Sequence, residues 1–195
     1  SLMPRQNKIL NDNRRLLRLL NGGTVFTSLD TETTGLSCSA DRIIEIGCVK
    51  FDRTGIIGRW SSLVNPCRPV PRMITELTHI SMEMLRDCPA ADSVIPEFKN
   101  FTEGTVLVAH NARFDLNFIN EECGRLGCRA AANSAIDTLQ LARWAYPSLG
   151  KYSLSFLAGR MGIRQTSAHR AADDADVCRQ IFLRILEDTA ELQKT

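Results

Sequence analysis

The chain has 195 residues, 44% apolar and 24% charged, with a net charge of +2. That length fits one domain with a sizeable core, and the balance is ordinary for a globular protein. No apolar run approaches the ~20 residues that span a bilayer, so no membrane segment is expected, and the net charge is too small to argue for nucleic acid by itself. The seven cysteines are scattered without a Cys-x-x-Cys pair. Neither a zinc site nor a disulfide framework is indicated, and a reducing cytoplasm is the expected setting.

Residues 5–20 place Ile9, Leu10, Leu16, Leu17, Leu19 and Leu20 at helical spacing, and Asn21-Gly22-Gly23 follows as a stop. An amphipathic helix is expected there. Arg5, Lys8, Arg14, Arg15 and Arg18 make it basic, either as a solvated face or as a surface that meets phosphates. Residues 1–23 thus read as a basic amphipathic N-terminal extension, and 24–195 as the main domain.

Thr24 to Leu29 is short and rich in β-branched and apolar residues, so it reads as a strand. It runs into Leu29-Asp30-Thr31-Glu32-Thr33-Thr34-Gly35. Side chains two apart on a strand point the same way, which sets Asp30 beside Glu32 at the strand's end, with Gly35 ready for a turn. Paired carboxylates repel unless a cation lies between them, and a hard divalent ion is the usual solution. Two solvated acids at a strand end fit the same residues.

Arg42–Phe51 and Ile56–Val64 read as two more strands, followed by the proline-rich connection 65–71. Short helical turns are expected over 75–85 and a helix over 91–101, with Pro96 tolerated in its first turn. Thr105–Ala109 is a continuous apolar strand of the buried parallel type. Helices are expected over 113–126, 138–145, 154–161 and 171–192, with a short strand at 135–137. A three-strand meander followed by alternating strands and helices implies an α/β fold, a mixed sheet covered by helices.

Two further constellations occur. His110-Asn111-Ala112-Arg113-Phe114-Asp115 begins where the apolar strand ends, the place where ligand sites gather in open α/β sheets. Helix capping by Asn111 and a dipole-favoured Asp115 explain the same residues. His169-Arg170-Ala171-Ala172-Asp173-Asp174 opens the last helix. Residues five apart lie ~140° apart on a continuous helix, so His169 and Asp174 share a site only if His169 lies in the preceding loop. Four carboxylates and a histidine suit a two-metal hydrolytic site. Histidine, with an ordinary pKa of ~6.5, suits removal of a proton from water.

Together, LDTETTG (29–35), HNARFD (110–115) and HRAADD (169–174) resemble the three motifs of the DEDDh 3′–5′ exonuclease superfamily, above all the proofreading epsilon-subunit type of bacterial DNA polymerase III. RIIEIGCVKF (42–51), NPCRPVP (65–71) and YSLSFLAGRMGI (152–163) add to the likeness, which covers roughly residues 24–190. The resemblance implies a ribonuclease H-like mixed five-stranded sheet with helices on both faces. It implies Asp30, Glu32, Asp115 and Asp174 as ligands of two Mg²⁺ or Mn²⁺ ions, and His169 as general base. The His-x4-Asp spacing selects Asp174 over Asp173, and Arg170 stands where the sister DEDDy group has tyrosine. Thr33 and Leu36 would approach the terminal nucleotide, and His110, Asn111 and Phe114 would support and line the site. His79 stands where relatives often have glycine, and as an aromatic it could stack on the terminal base.

The resemblance implies removal of nucleoside 5′-monophosphates from single-stranded DNA 3′ ends, in proofreading or repair, with a DNA polymerase or repair protein as a possible partner. An exoribonuclease of the same superfamily and a non-catalytic nucleic-acid-binding module on this fold are the alternatives. A phosphatase with an aspartate nucleophile would need Asp-x-Asp and a nearby lysine, which these motifs lack.

Overall fold

The computed structural model describes residues 7–167 and 169–190. Its first helix, α1, spans Asn13–Asn21, and of the helix expected over 5–20, residues 7–12 are not helical, while residues 5 and 6 lie outside the described residues. The reason is tertiary. Residues 8–10 are extended along a sheet edge, where the Leu10 N–H donates to the Ala135 carbonyl and the Ala135 N–H to that of Lys8. Asp12 then caps α1 by accepting from the Arg14 N–H. The Asn13 amide donates to Thr189 Oγ1 at 2.8 Å, tying α1 to the end of the last helix.

The sheet contains β1 (Phe26–Thr33), β2 (Ile43–Asp52), β3 (Gly55–Leu63), β4 (Val106–Ala109) and β5 (Ala135–Asp137), in the order β3-β2-β1-β4-β5. β1–β2 and β2–β3 are antiparallel, and β1–β4 and β4–β5 parallel. This is the expected mixed five-stranded sheet. Between β3 and β4 lie α2 (Arg72–Thr78), α3 (Met82–Leu85) and α4 (Ala91–Thr102). α5 (Ala112–Leu126) joins β4 to β5, and α6 (Thr138–Ala145), α7 (Leu154–Met161) and α8 (Ala171–Ala190) follow. Pro96 is the sixth residue of α4, not in its first turn as expected, so the helix continues without that donor.

The alternation along β1 sorts its side chains between two cores. Phe26 packs with Phe51 and with Phe182 of α8, and the Ser28 hydroxyl donates to the Ala175 carbonyl of α8. Even-numbered residues therefore face α8. Thr31 contacts Asp115 of α5, and Leu29 joins the cluster built by α4 and α5, so odd-numbered residues face those helices. Helices thus cover both faces. Among the described residues, no helix is long and apolar enough to cross a membrane.

Candidate active site

Asp30 and Glu32 lie within β1 rather than past it, on the face that meets α8. Asp30 pairs across β2 with Gly47, and Glu32 with Glu45. Gly47 is what lets α8 begin there. A Cβ on residue 47 would lie 2.3 Å from the Ala172 nitrogen, so any side chain would push the helix away. The close approach brings Asp174, in the first turn of α8, onto the two β1 acids. One carboxylate oxygen each from Asp30, Glu32 and Asp174 lies within 4.8 Å of the others.

Asp115 approaches from the other side. It is buried in α5, and its Oδ1 accepts from the Thr31 N–H at 3.0 Å and the Thr31 hydroxyl at 2.5 Å. Thr31, on the odd face of β1, thus fixes Asp115 beside the strand whose even face carries Asp30 and Glu32. Its role is not visible from Asp-x-Glu alone, since the intervening residue of that pattern is unconstrained.

The electrostatics follow from crowding. Burial raises the Asp30 pKa well above its ordinary value, and the charges of Asp115, Glu32 and Asp174 raise it further. Burial lifts Glu32 to about 8, with added repulsion from Asp174 and Glu45. Burial lifts Asp115 to about 7 against the lowering effect of the Thr31 hydrogen bonds. Asp174 is also raised by burial, opposed by hydrogen bonds from the Gln165 side chain and the His169 N–H. Asp30 Oδ2 is buried without a hydrogen-bond partner. An orphaned carboxylate oxygen among clustered acids is what a cation would satisfy, and the all-oxygen donor set suits a hard divalent ion rather than a soft one.

His169 lies ahead of α8, as its spacing to Asp174 required. It has φ +64 and an exposed side chain, and its N–H donates to Asp174 Oδ2 at 3.1 Å. Asp174 is 6% exposed, which singles it out from the half-buried Asp173.

The remaining expected residues are placed unevenly. Leu36 is 88% exposed beyond β1, an unpartnered apolar side chain at the rim. The Thr33 side chain is buried and its hydroxyl donates to the Gly35 carbonyl, which takes it out of reach as a donor. Gly35 is needed for room rather than for a positive φ, because a Cβ there would lie 2.4 Å from Asp41 Oδ2. His110 holds the wall together: Nδ1 lies 2.8 Å from Thr138 Oγ1 and Nε2 2.7 Å from the Tyr152 carbonyl. Asn111 is not a side-chain cap as expected. It sits at φ +66, and its N–H donates to Asp137 Oδ1. Phe114 is half-buried against Phe118. His79 is exposed at φ +62, closing α2. A left-handed helix terminus is a position that favours glycine.

Glu45 and Arg170 were not singled out from the sequence. The signal was present in RIIEIGCVKF, a strand whose only acid stands between isoleucines. Such an acid is buried only if paired.

Residues 27–182 match the RNase_T exonuclease family, and the chain belongs to that family. It is 43% identical over 168 residues to the DNA polymerase III subunit epsilon of Treponema pallidum, covering 85% of this chain and 78% of that protein. It is 41% identical over 167 residues to a PolC-type DNA polymerase III of Caldanaerobacter subterraneus, covering 86% of this chain but 12% of that much longer protein. Exonuclease X, solved in complex with 5′-overhanging duplex DNA, superposes with a TM-score of 0.69 at 29% identity, covering 85% of this chain and 93% of that one. The fold is ribonuclease H-like, and the chain is a DEDDh-type 3′–5′ exonuclease domain, a phosphodiester hydrolase.

Proposed function

We propose that this domain removes nucleotides one at a time from the 3′ end of single-stranded DNA, using Asp30, Glu32, Asp115 and Asp174 to hold two Mg²⁺ or Mn²⁺ ions and His169 as general base. The observation that carries this reading is the convergence of Asp30, Glu32 and Asp174 within 4.8 Å, with Asp30 Oδ2 buried and unpartnered. Divalent ions held there would supply Lewis acidity toward the attacking water and the phosphate oxygens.

The residues divide the remaining work. Thr31 aims Asp115, and Gln165 with the His169 main chain aims Asp174. His169 takes a proton from the attacking water. The oxygen adds to phosphorus, the bond to the 3′ oxygen of the penultimate nucleotide breaks, that oxygen takes the electron pair and a proton from water, and a nucleoside 5′-monophosphate is released. The exposed Leu36 and His79 and the half-buried Phe114 offer apolar and aromatic surface to the terminal base.

DNA is favoured over RNA because the similar chains are named as parts of DNA polymerases and exonuclease X was solved with DNA. Association with a DNA polymerase is part of the same reading, and a reducing cytoplasm suits seven free thiols.

The test is digestion of 5′-labelled single-stranded DNA and RNA in Mg²⁺, in Mn²⁺ and in EDTA, alongside Asp30→Ala. A cation-dependent ladder that shortens DNA from the 3′ end and vanishes in the variant is expected. Preferential digestion of RNA would replace the substrate, and no cleavage of either polymer by folded protein would overturn the reading.

A further inference from the structure

Glu45 is a buried carboxylate next to a site that already has too many. It is 4% exposed and its Cα pairs with that of Glu32 across β1 and β2. It does not join the cluster, because its acceptor capacity is directed to the start of α8. Oε1 accepts from the Ala171 N–H at 2.7 Å, while the Arg170 guanidinium reaches both oxygens through Nε and Oε2 through NH2 at 2.9 Å. The planar guanidinium suits this forked contact. Beneath it, Gly47 seats the Ala171–Ala172 backbone directly on β2, so the clasp has no room to slide.

His169 adjoins this clasp. Its side chain is exposed, and its backbone sits in the left-handed region, which is strained for a residue other than glycine. The exposed ring must therefore be placed by its backbone. The His169 N–H is held by Asp174, and the Arg170 N–H closes the turn on the Ser167 carbonyl at 3.1 Å. The Ala171 N–H bond to Glu45 and the Gly47 contact already anchor the helix and hence Asp174. The Arg170 side chain adds a constraint one residue from His169.

We propose that Arg170, clasped by Glu45, is a positioning residue for the reaction: it fixes the left-handed turn that presents His169 beside Asp174. The inference rests on His169 being the base. Misplacing a reacting group by ~1 Å can cost ~100-fold, so Arg170→Gln should lower kcat ~10- to 100-fold with KM nearly unchanged. Arg170→Lys keeps the charge but loses the fork and should recover only part of the loss.

A double-mutant cycle separates positioning from general support of the fold. Arg170→Gln, His169→Ala and the double variant are assayed on single-stranded DNA in Mn²⁺, with melting temperatures recorded for each. If Arg170 acts through His169, the double variant is no slower than His169→Ala alone. If Arg170→Gln slows the His169→Ala enzyme as much as it slows the wild type, the arginine acts through the carboxylates or the fold, and the proposal is wrong. An Arg170→Gln enzyme of normal kcat also overturns it. Full activity in His169→Ala would instead remove the base reading on which it rests. Glu45→Gln provides a second route: it should reproduce the Arg170→Gln loss in kcat, and wild-type kcat in a folded Glu45→Gln protein would equally overturn the clasp.

Discussion

Asp30→Asn should make the cation-free protein more stable while abolishing its activity. Burial and three neighbouring acids hold Asp30 protonated in the fold at pH values where the unfolded chain has released that proton. Its contribution to stability is therefore whole below its ordinary value of 3.8 and is lost as pH rises. One retained proton corresponds to ~1.4 kcal/mol per pH unit. Asparagine keeps the size, carries no titrating proton, and can donate its amide to the neighbouring acids. Over the pH interval in which only the folded chain keeps that proton, the variant should gain on the wild type by up to ~1.4 kcal/mol per pH unit, which for a domain of this size is ~3–6 °C in melting temperature per unit. Thermal unfolding in EDTA at several pH values measures this, and adding Mn²⁺ should reverse the order, because only the wild type retains the full ligand set. A melting-temperature difference that stays flat with pH in EDTA, or a wild type that is the more stable throughout, would refute the reasoning.

Thr31→Val removes the hydroxyl that holds Asp115 while keeping side-chain size; it should cost ~1.5–3 kcal/mol by denaturant unfolding and lower nuclease activity severalfold. His79→Gly relieves a left-handed backbone at the end of α2 and should stabilise by ~0.5–1 kcal/mol, read as a higher urea midpoint. Burial lowers the His110 pKa below 6.5, against the raising effects of the Tyr152 carbonyl and Asp137, so the fold prefers the neutral ring. The stability this provides is present above 6.5 and lost as pH falls through the depressed value. His110→Gln should accordingly flatten the acid side of the stability–pH curve, and ring carbon shifts by NMR should show wild-type His110 neutral at pH 6.5.

The elements most legible in the sequence were those built from local signals. β5, α6 and α7 fall at the expected residues, because short apolar runs and helix stops such as Gly162 are local. The meeting of Asp30, Glu32 and Asp174 and the position of His169 ahead of the helix were legible too, since the two β1 acids stand two apart on one strand and the His169–Asp174 spacing demanded a loop. Partnership across the chain was not legible. Periodicity alone reads residues 8–10 as helix, but their hydrogen bonds go to Ala135, 125 or more positions away. Nor does local pattern say that Thr31 aims Asp115, that Asn111 turns left-handed instead of capping, or that Glu45 spends its oxygens on Arg170 and Ala171. A sequence period reports which way side chains point within one element. What those side chains meet depends on which strand and helix the fold sets alongside, and Gly47, by admitting α8 onto β2, is where that choice completes the site.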